Sequence, residues 1–243
     1  KKGGVKVKKL LLALLILSLI VTGPALAAKK KIVLGKIPYT LEHSYHQSIV
    51  KMFEDYAMKM YGASTIIVDG EANSASSLSA VENLIAQKVD GIALHSPDMG
   101  MTATAVEAAH KAGIPIVTTL IYPKIKVAPH IQPKEEFSSF RMGEVAATQW
   151  LKAHPDKPCQ VAILNFGGFE QVVYLRTDPF FKGVQSVDPN AKLVAKQNGF
   201  GSTVKSMEVM LDILQANPQI NIIFGANDDM ALGALAACEQ LGR

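Results

Sequence analysis

Gly91-Ile92-Ala93-Leu94, then Met101-Thr102-Ala103-Thr104-Ala105-Val106-Glu107-Ala108-Ala109-His110-Lys111-Ala112-Gly113, then Ile114-Pro115-Ile116-Val117-Thr118-Thr119, reads as strand, helix and strand. The outer runs are short and apolar, the middle is rich in helix formers, and Gly113 stands where a helix stops. Two strands joined through a helix lie parallel, because a crossover is what parallel pairing requires. The same alternation extends toward the amino end. Ile32–Leu34 is a short strand, and Ile49, Met52, Phe53, Tyr56, Ala57 and Met60 mark one face of a helix stopped by Gly62. Thr65–Val68 is a β-branched strand, followed by a helix marked by Leu78, Val81, Leu84 and Ile85. Strand starts near 32, 65, 91 and 115 predict a parallel sheet with helices on both faces.

Ile121–Pro133 breaks the rhythm with Pro123, Pro129 and Pro133, and reads as a loop leading into a crossing between lobes near His130–Pro133. Alternation then resumes. Helices are expected over 140–151, 179–186 and 203–216, and strands over Gln160–Asn165, 191–196 and Asn221–Gly225. Asn227 caps a last helix, with Asp228 and Asp229 placed against its amino-end dipole. The expected fold is α/β: two doubly wound parallel-sheet lobes joined by a hinge, 29–131 and 132–243, after a signal peptide at 1–28. Three strands are few for a covered parallel sheet, so the second lobe is expected to be truncated at the carboxyl end.

Composition narrows the function. Of 243 residues 49% are hydrophobic and 19% charged, which excludes a disordered chain, and two cysteines exclude a disulfide scaffold. The net charge of +4 comes from Lys1, Lys2, Lys6, Lys8 and Lys9; the remainder carries 20 basic and 21 acidic groups. A near-neutral body has no electrostatic footprint for nucleic acid or an anionic membrane. Those lysines, the apolar run Leu10–Val21 and Ala25-Leu26-Ala27 read in order as a secretory signal, with no following cysteine for a lipid. Export to a periplasm is the consequence. Cys159 and Cys238 could pair there, although buried free thiols are the simpler reading.

The turn after the first strand, Gly35-Lys36-Ile37-Pro38-Tyr39-Thr40, lacks the glycines of a dinucleotide loop, and neither a Walker phosphate loop nor a Gly-x-Ser-x-Gly elbow is present. His43 and His46 could share a helical face as metal ligands, and Glu42 could act as a general acid, but no partner group stands at ligand spacing. No cofactor, metal or catalytic set is therefore expected. Ligands of open parallel sheets bind at the carboxyl ends of the strands. There the chain offers His43, Tyr45 and His46 after the first strand, and Arg176, Phe200 and Asn227 in the second lobe. Rings that stack on C–H faces, a guanidinium fork and amides suit a small polar ligand with apolar faces.

Asn227-Asp228-Asp229-Met230-Ala231-Leu232-Gly233-Ala234, Val89-Asp90-Gly91-Ile92, Ser96-Pro97-Asp98, Ala112-Gly113-Ile114-Pro115, and Arg176 ahead of Phe180–Gly183 fall in order. In these stretches the sequence resembles the sugar-binding branch of the type I periplasmic binding proteins. The resemblance implies two lobes that close on a sugar-like ligand, delivery to an ABC permease, and a monomer. It puts Tyr45 and His46 at stacking positions and His43 at a polar one. Arg176, Phe200 and Asn227 fall at ligand positions, and Glu170 where some members place a polar contact. Leu120 and Ile121 stand where ribose-type members have an Asp-Arg pair, and a histidine replaces a phenylalanine, which implies a ligand other than ribose or one with fewer hydroxyls. Members of the family also continue past Arg243. Two rival readings remain: a sensor of the same fold signalling to a membrane kinase or chemoreceptor, and a secreted enzyme built on Glu42, His43 and His46.

Overall fold

Two wholly parallel sheets run through the computed structural model, which describes residues 31–243; the signal peptide expected at 1–28 lies outside the described residues. The first sheet is built from β1 (Val33–Ile37), α1 (Ser44–Tyr61), β2 (Ser64–Ile67), α2 (Ser74–Ala86), β3 (Gly91–Ser96), α3 (Met99–Lys111), β4 (Ile116–Leu120) and β5 (His130–Ile131). The second comprises α4 (Glu135–Ala153), β6 (Gln160–Asn165), α5 (Asp178–Val187), β7 (Lys192–Asn198), α6 (Thr203–Ala216), β8 (Ile222–Gly225) and α7 (Asp228–Gln240). Spatial order is β2-β1-β3-β4-β5 in one sheet and β7-β6-β8 in the other. By contacts Val33–Arg243 form a single unit. Among the described residues no helix is long and apolar enough to cross a membrane.

Local signals set the helix ends. Gly62 closes α1 in the left-handed conformation at φ 60°, its N–H returning to the Met58 carbonyl and the Ala63 N–H to that of Ala57. Asn73, Asp98 and Asn227 cap α2, α3 and α7, each side chain accepting from a backbone N–H of the first turn. Strand alternation then fixes the layers. Ile92 and Leu94 of β3 pack with Val81, Leu84, Ala105 and Val106 in one core, while Val161, Ile163, Val184, Met210 and Met230 anchor the other.

Three features differ from the expectation. The stretch 121–133 is not all loop, because His130–Ile131 pairs in parallel with Thr118–Thr119 as an edge strand of the first sheet. Pro129 and Pro133 flank this two-residue strand and erase any strand signal, yet the Pro129 carbonyl accepts from the Thr118 N–H. The helix expected over 140–151 begins earlier, at Glu135, where Glu135 and Glu136 supply acid for its first turn. The helix expected over 179–186 is preceded by a turn at Glu170–Val172 and a π-helical turn at Val173–Thr177, which carries Arg176. Both cysteines are free thiols.

α4 and α5 pack backbone to backbone. A methyl group at Gly143 would fall on the Phe180 carbonyl oxygen, and one at Gly183 on the Phe140 carbonyl oxygen. Gly143→Ala is therefore expected to destabilise the protein by about 2–3 kcal/mol. That loss lowers the thermal midpoint by roughly 5–10 °C. An unchanged melting curve would contradict this packing.

Candidate functional site

The order β2-β1-β3 makes the connections leave β1 and β3 in opposite directions, opening a crevice at their carboxyl ends; β7-β6-β8 does the same between β6 and β8. The two crevices share one cavity of about 540 Å³. Its first wall comes from Tyr39, His43, Tyr45 and His46 after β1, His95 on β3 and Leu120 at the end of β4. The opposite wall comes from Phe166 and Phe169 after β6, Arg176, and Ala226 and Asn227 after β8. The first turns of α4 contribute Glu135, Ser138, Ser139 and Met142, a spacing that puts all four on one helical face.

Of the residues singled out from sequence, His43, Tyr45, His46, Arg176 and Asn227 line this cavity; Glu170 and Phe200 do not. Glu170 is exposed at the start of its helical turn. Phe200 is 56% exposed in a left-handed turn at φ 57°, with the Lys205 ammonium 5.3 Å from its ring centroid. His95 and Glu135 were not foreseen. His95 had a signal, since it lies at the carboxyl end of a strand bordering the switch point; Glu135 had none, because only the tertiary fold brings the start of α4 here.

The first wall is an array of rings. His46 meets His95 edge-on at 4.8 Å and Tyr45 at 5.2 Å, and stacks beside His43 at 5.7 Å. Parallel stacking of His43 on His46 is not the convergence a metal needs, and among the described residues no group of three metal-ligating side chains is arranged to hold an ion. Nδ1 of His95 shares a 2.8 Å hydrogen bond with the Thr119 hydroxyl. Burial, reinforced by His43 and by Lys36, lowers His46 to about 4; burial, then His46 and Lys36, lowers His95 to about 3. Both imidazoles are neutral at pH 7, each able to offer one donor and one acceptor. Leu120 holds φ 83°, backbone strain of about 1–3 kcal/mol stored in the cavity lining. Tyr39 donates to the Ala72 carbonyl at 3.0 Å and meets Phe169 of the other wall edge-on at 6.0 Å.

On the second wall Arg176 is fully engaged along one edge. Nη2 and Nε donate to Glu135 Oε1 and Oε2 at 2.7 and 3.3 Å, and Nη1 donates to the Ala226 carbonyl at 2.9 Å. The Asn227 side chain accepts from the Met230 N–H at 2.9 Å and donates to the Gly201 carbonyl at 3.3 Å, so it caps α7 while facing the cavity. Aromatic faces on one side and fixed polar groups on the other suit capture of a small polyhydroxylated molecule.

Residues 34–243 match the family described as periplasmic binding protein domain. The chain belongs to that family. It is 31% identical over 215 residues to the ribose import binding protein of Bacillus subtilis (strain 168), covering 88% of this chain and 68% of that one. Among solved structures it superimposes on an ABC transporter periplasmic solute binding protein of Actinobacillus succinogenes 130z with bound D-allose. There the TM-score is 0.73 and the identity 30%, over 87% of this chain and 75% of that one. A galactofuranose binding protein shares the fold at TM-score 0.76 and 22% identity, over 87% and 72% of the two chains. The type I fold of the family, with paired parallel sheets whose carboxyl ends face one cavity, is the architecture described above.

Lys36 lies behind this family's cleft on β1, 4% exposed, with no hydrogen bond or ion pair to its ammonium among the described residues. Burial lowers it from 10.5 to about 8. The folded protein then loses this proton near pH 8 and the unfolded chain near 10.5, so the penalty is full below 8 and fades as pH rises. That climb is worth about 3 kcal/mol. In urea titrations Lys36→Met is expected to be the more stable at pH 7, with the gap to wild type closing between pH 8 and 10.5. A gap that does not change with pH would contradict the buried charge.

Proposed function

We propose that the chain is a periplasmic solute receptor that captures a sugar or sugar-like small molecule between its two lobes and delivers it to an ABC permease. It is a binding protein and not an enzyme, as its import-protein relatives are. The observation that carries the reading is Arg176 on one wall facing Tyr45 and His46 on the other across a single cavity of about 540 Å³, within the range of small-molecule sites. Relatives named for ribose import and for bound D-allose support a sugar as the ligand class. The lobes are 29–131 and 132–243, and the ligand favours their closed arrangement by touching both. His43, Tyr45, His46, Arg176 and Asn227 contact the ligand, joined by His95; Glu170 and Phe200 reach it only if their loops move inward. Residues 1–28 direct export, and the receptor works as a monomer.

In a thermal-shift screen of pentoses, hexoses, polyols and small acids, one neutral class at about 100-fold excess over its Kd is expected to stabilise the chain by about 2.7 kcal/mol. That corresponds to a midpoint rise of roughly 5–10 °C. Tyr45→Ala should weaken that ligand about 3- to 10-fold, the worth of one ring face, without lowering the unliganded midpoint, since Tyr45 is 52% exposed. No shift with any compound would contradict a sugar receptor.

A further inference from the structure

We propose that Glu135 is the specificity-determining residue of the cavity: by holding Arg176 it tunes the site to neutral polyhydroxylated ligands and against their acids. The inference rests on the receptor reading above. An arginine facing a ligand cavity is by its chemistry a fork for a carboxylate, two parallel N–H groups matched to two oxygens. Here the Nε–Nη2 edge of that fork already holds a carboxylate. Glu135 takes Nε and Nη2 with its two oxygens, and the Ala226 carbonyl takes Nη1. Three of the five guanidinium N–H groups are thereby used. Two remain, one on Nη1 and one on Nη2, enough for neighbouring hydroxyls, on a guanidinium whose charge Glu135 already balances.

Charge reinforces geometry. The pair is secluded, with side chains 23% and 13% exposed, so the interaction is weakly screened. Among the described residues the charged ones lining the cavity are Glu135, Asp228 and Asp229 against Arg176, so carboxylates outnumber the cation. A ligand carboxylate brought to Arg176 is repelled by the Glu135 carboxylate held on the same guanidinium, whereas a neutral hydroxyl is not. Glu135 acts through Arg176 as a positioning residue.

Isothermal titration of the full chain, Glu135→Gln and Glu135→Asp would use matched pairs: D-ribose and D-ribonate, D-allose and D-allonate, D-galactose and D-galacturonate. Wild type is expected to prefer the neutral member. Glu135→Gln frees the guanidinium edge and should shift the neutral-to-acid affinity ratio toward the acid by about tenfold or more. Glu135→Asp, which keeps the charge, should hold the ratio within about threefold of wild type. A merely structural ion pair would weaken both members equally, so an unchanged ratio in Glu135→Gln overturns the inference. Should that variant fail to fold by circular dichroism, wild type decides: equal affinity for sugar and acid overturns the proposal, and exclusion of the acid supports it. Binding of no probe at all contradicts the receptor reading itself, and the inference falls with it.

Discussion

Parallel pairing is the constraint on which the rest of this structure depends. Strands that run the same way must be joined by crossovers, and crossovers deliver every carboxyl end to one side of the sheet. In the first sheet that side collects the ends of β1, β3 and β4, and in the second those of β6 and β8. Because strand order reverses at β1/β3 and at β6/β8, the loops diverge there and leave space. The cavity is thus a product of topology, and much of its lining stands at or just beyond a strand end: His43 through His46, His95, Leu120, Phe166, Asn227.

Placed there, the side chains divide the work by wall. His46 and His95 of the first wall are kept uncharged by burial, by neighbouring imidazoles and by Lys36 behind them, so with Tyr45 they present faces and neutral hydrogen-bonding groups. The second wall holds a guanidinium whose charge is matched by Glu135 and whose orientation is fixed by Ala226. Neither wall leaves a net positive charge exposed to the ligand, which suits a molecule recognised by hydroxyls and C–H faces. Strain at Leu120 and the edge-on contact of Tyr39 with Phe169 belong to the lining of the same cavity.

Much of this was legible in the residues, and the parts that were not share a cause. Helix ends announced themselves locally: Gly62 supplies the left-handed stop of α1, and Asn227 caps α7, because such motifs need only a few neighbours. Five lining residues were legible because each comes after the carboxyl end of a strand, where a parallel sheet places its ligands. β5 was hidden because a two-residue strand flanked by prolines has no period, and only the free edge of β4 makes it a strand. The π-helical turn at Val173–Thr177 has no sequence signature either, yet it sets the direction of Arg176. Glu135 became part of the site through the packing of α4 on α5, at Gly143 and Gly183, a contact between distant segments that no local pattern encodes.

The most direct test of the central claim is a crystal structure of the chain with the sugar that stabilises it most. Ligand density is expected in the shared cavity, with Tyr45 against its C–H face and the two remaining N–H groups of Arg176 on its hydroxyls while Glu135 stays paired. Sugar bound elsewhere, with this cavity holding only solvent, would contradict it.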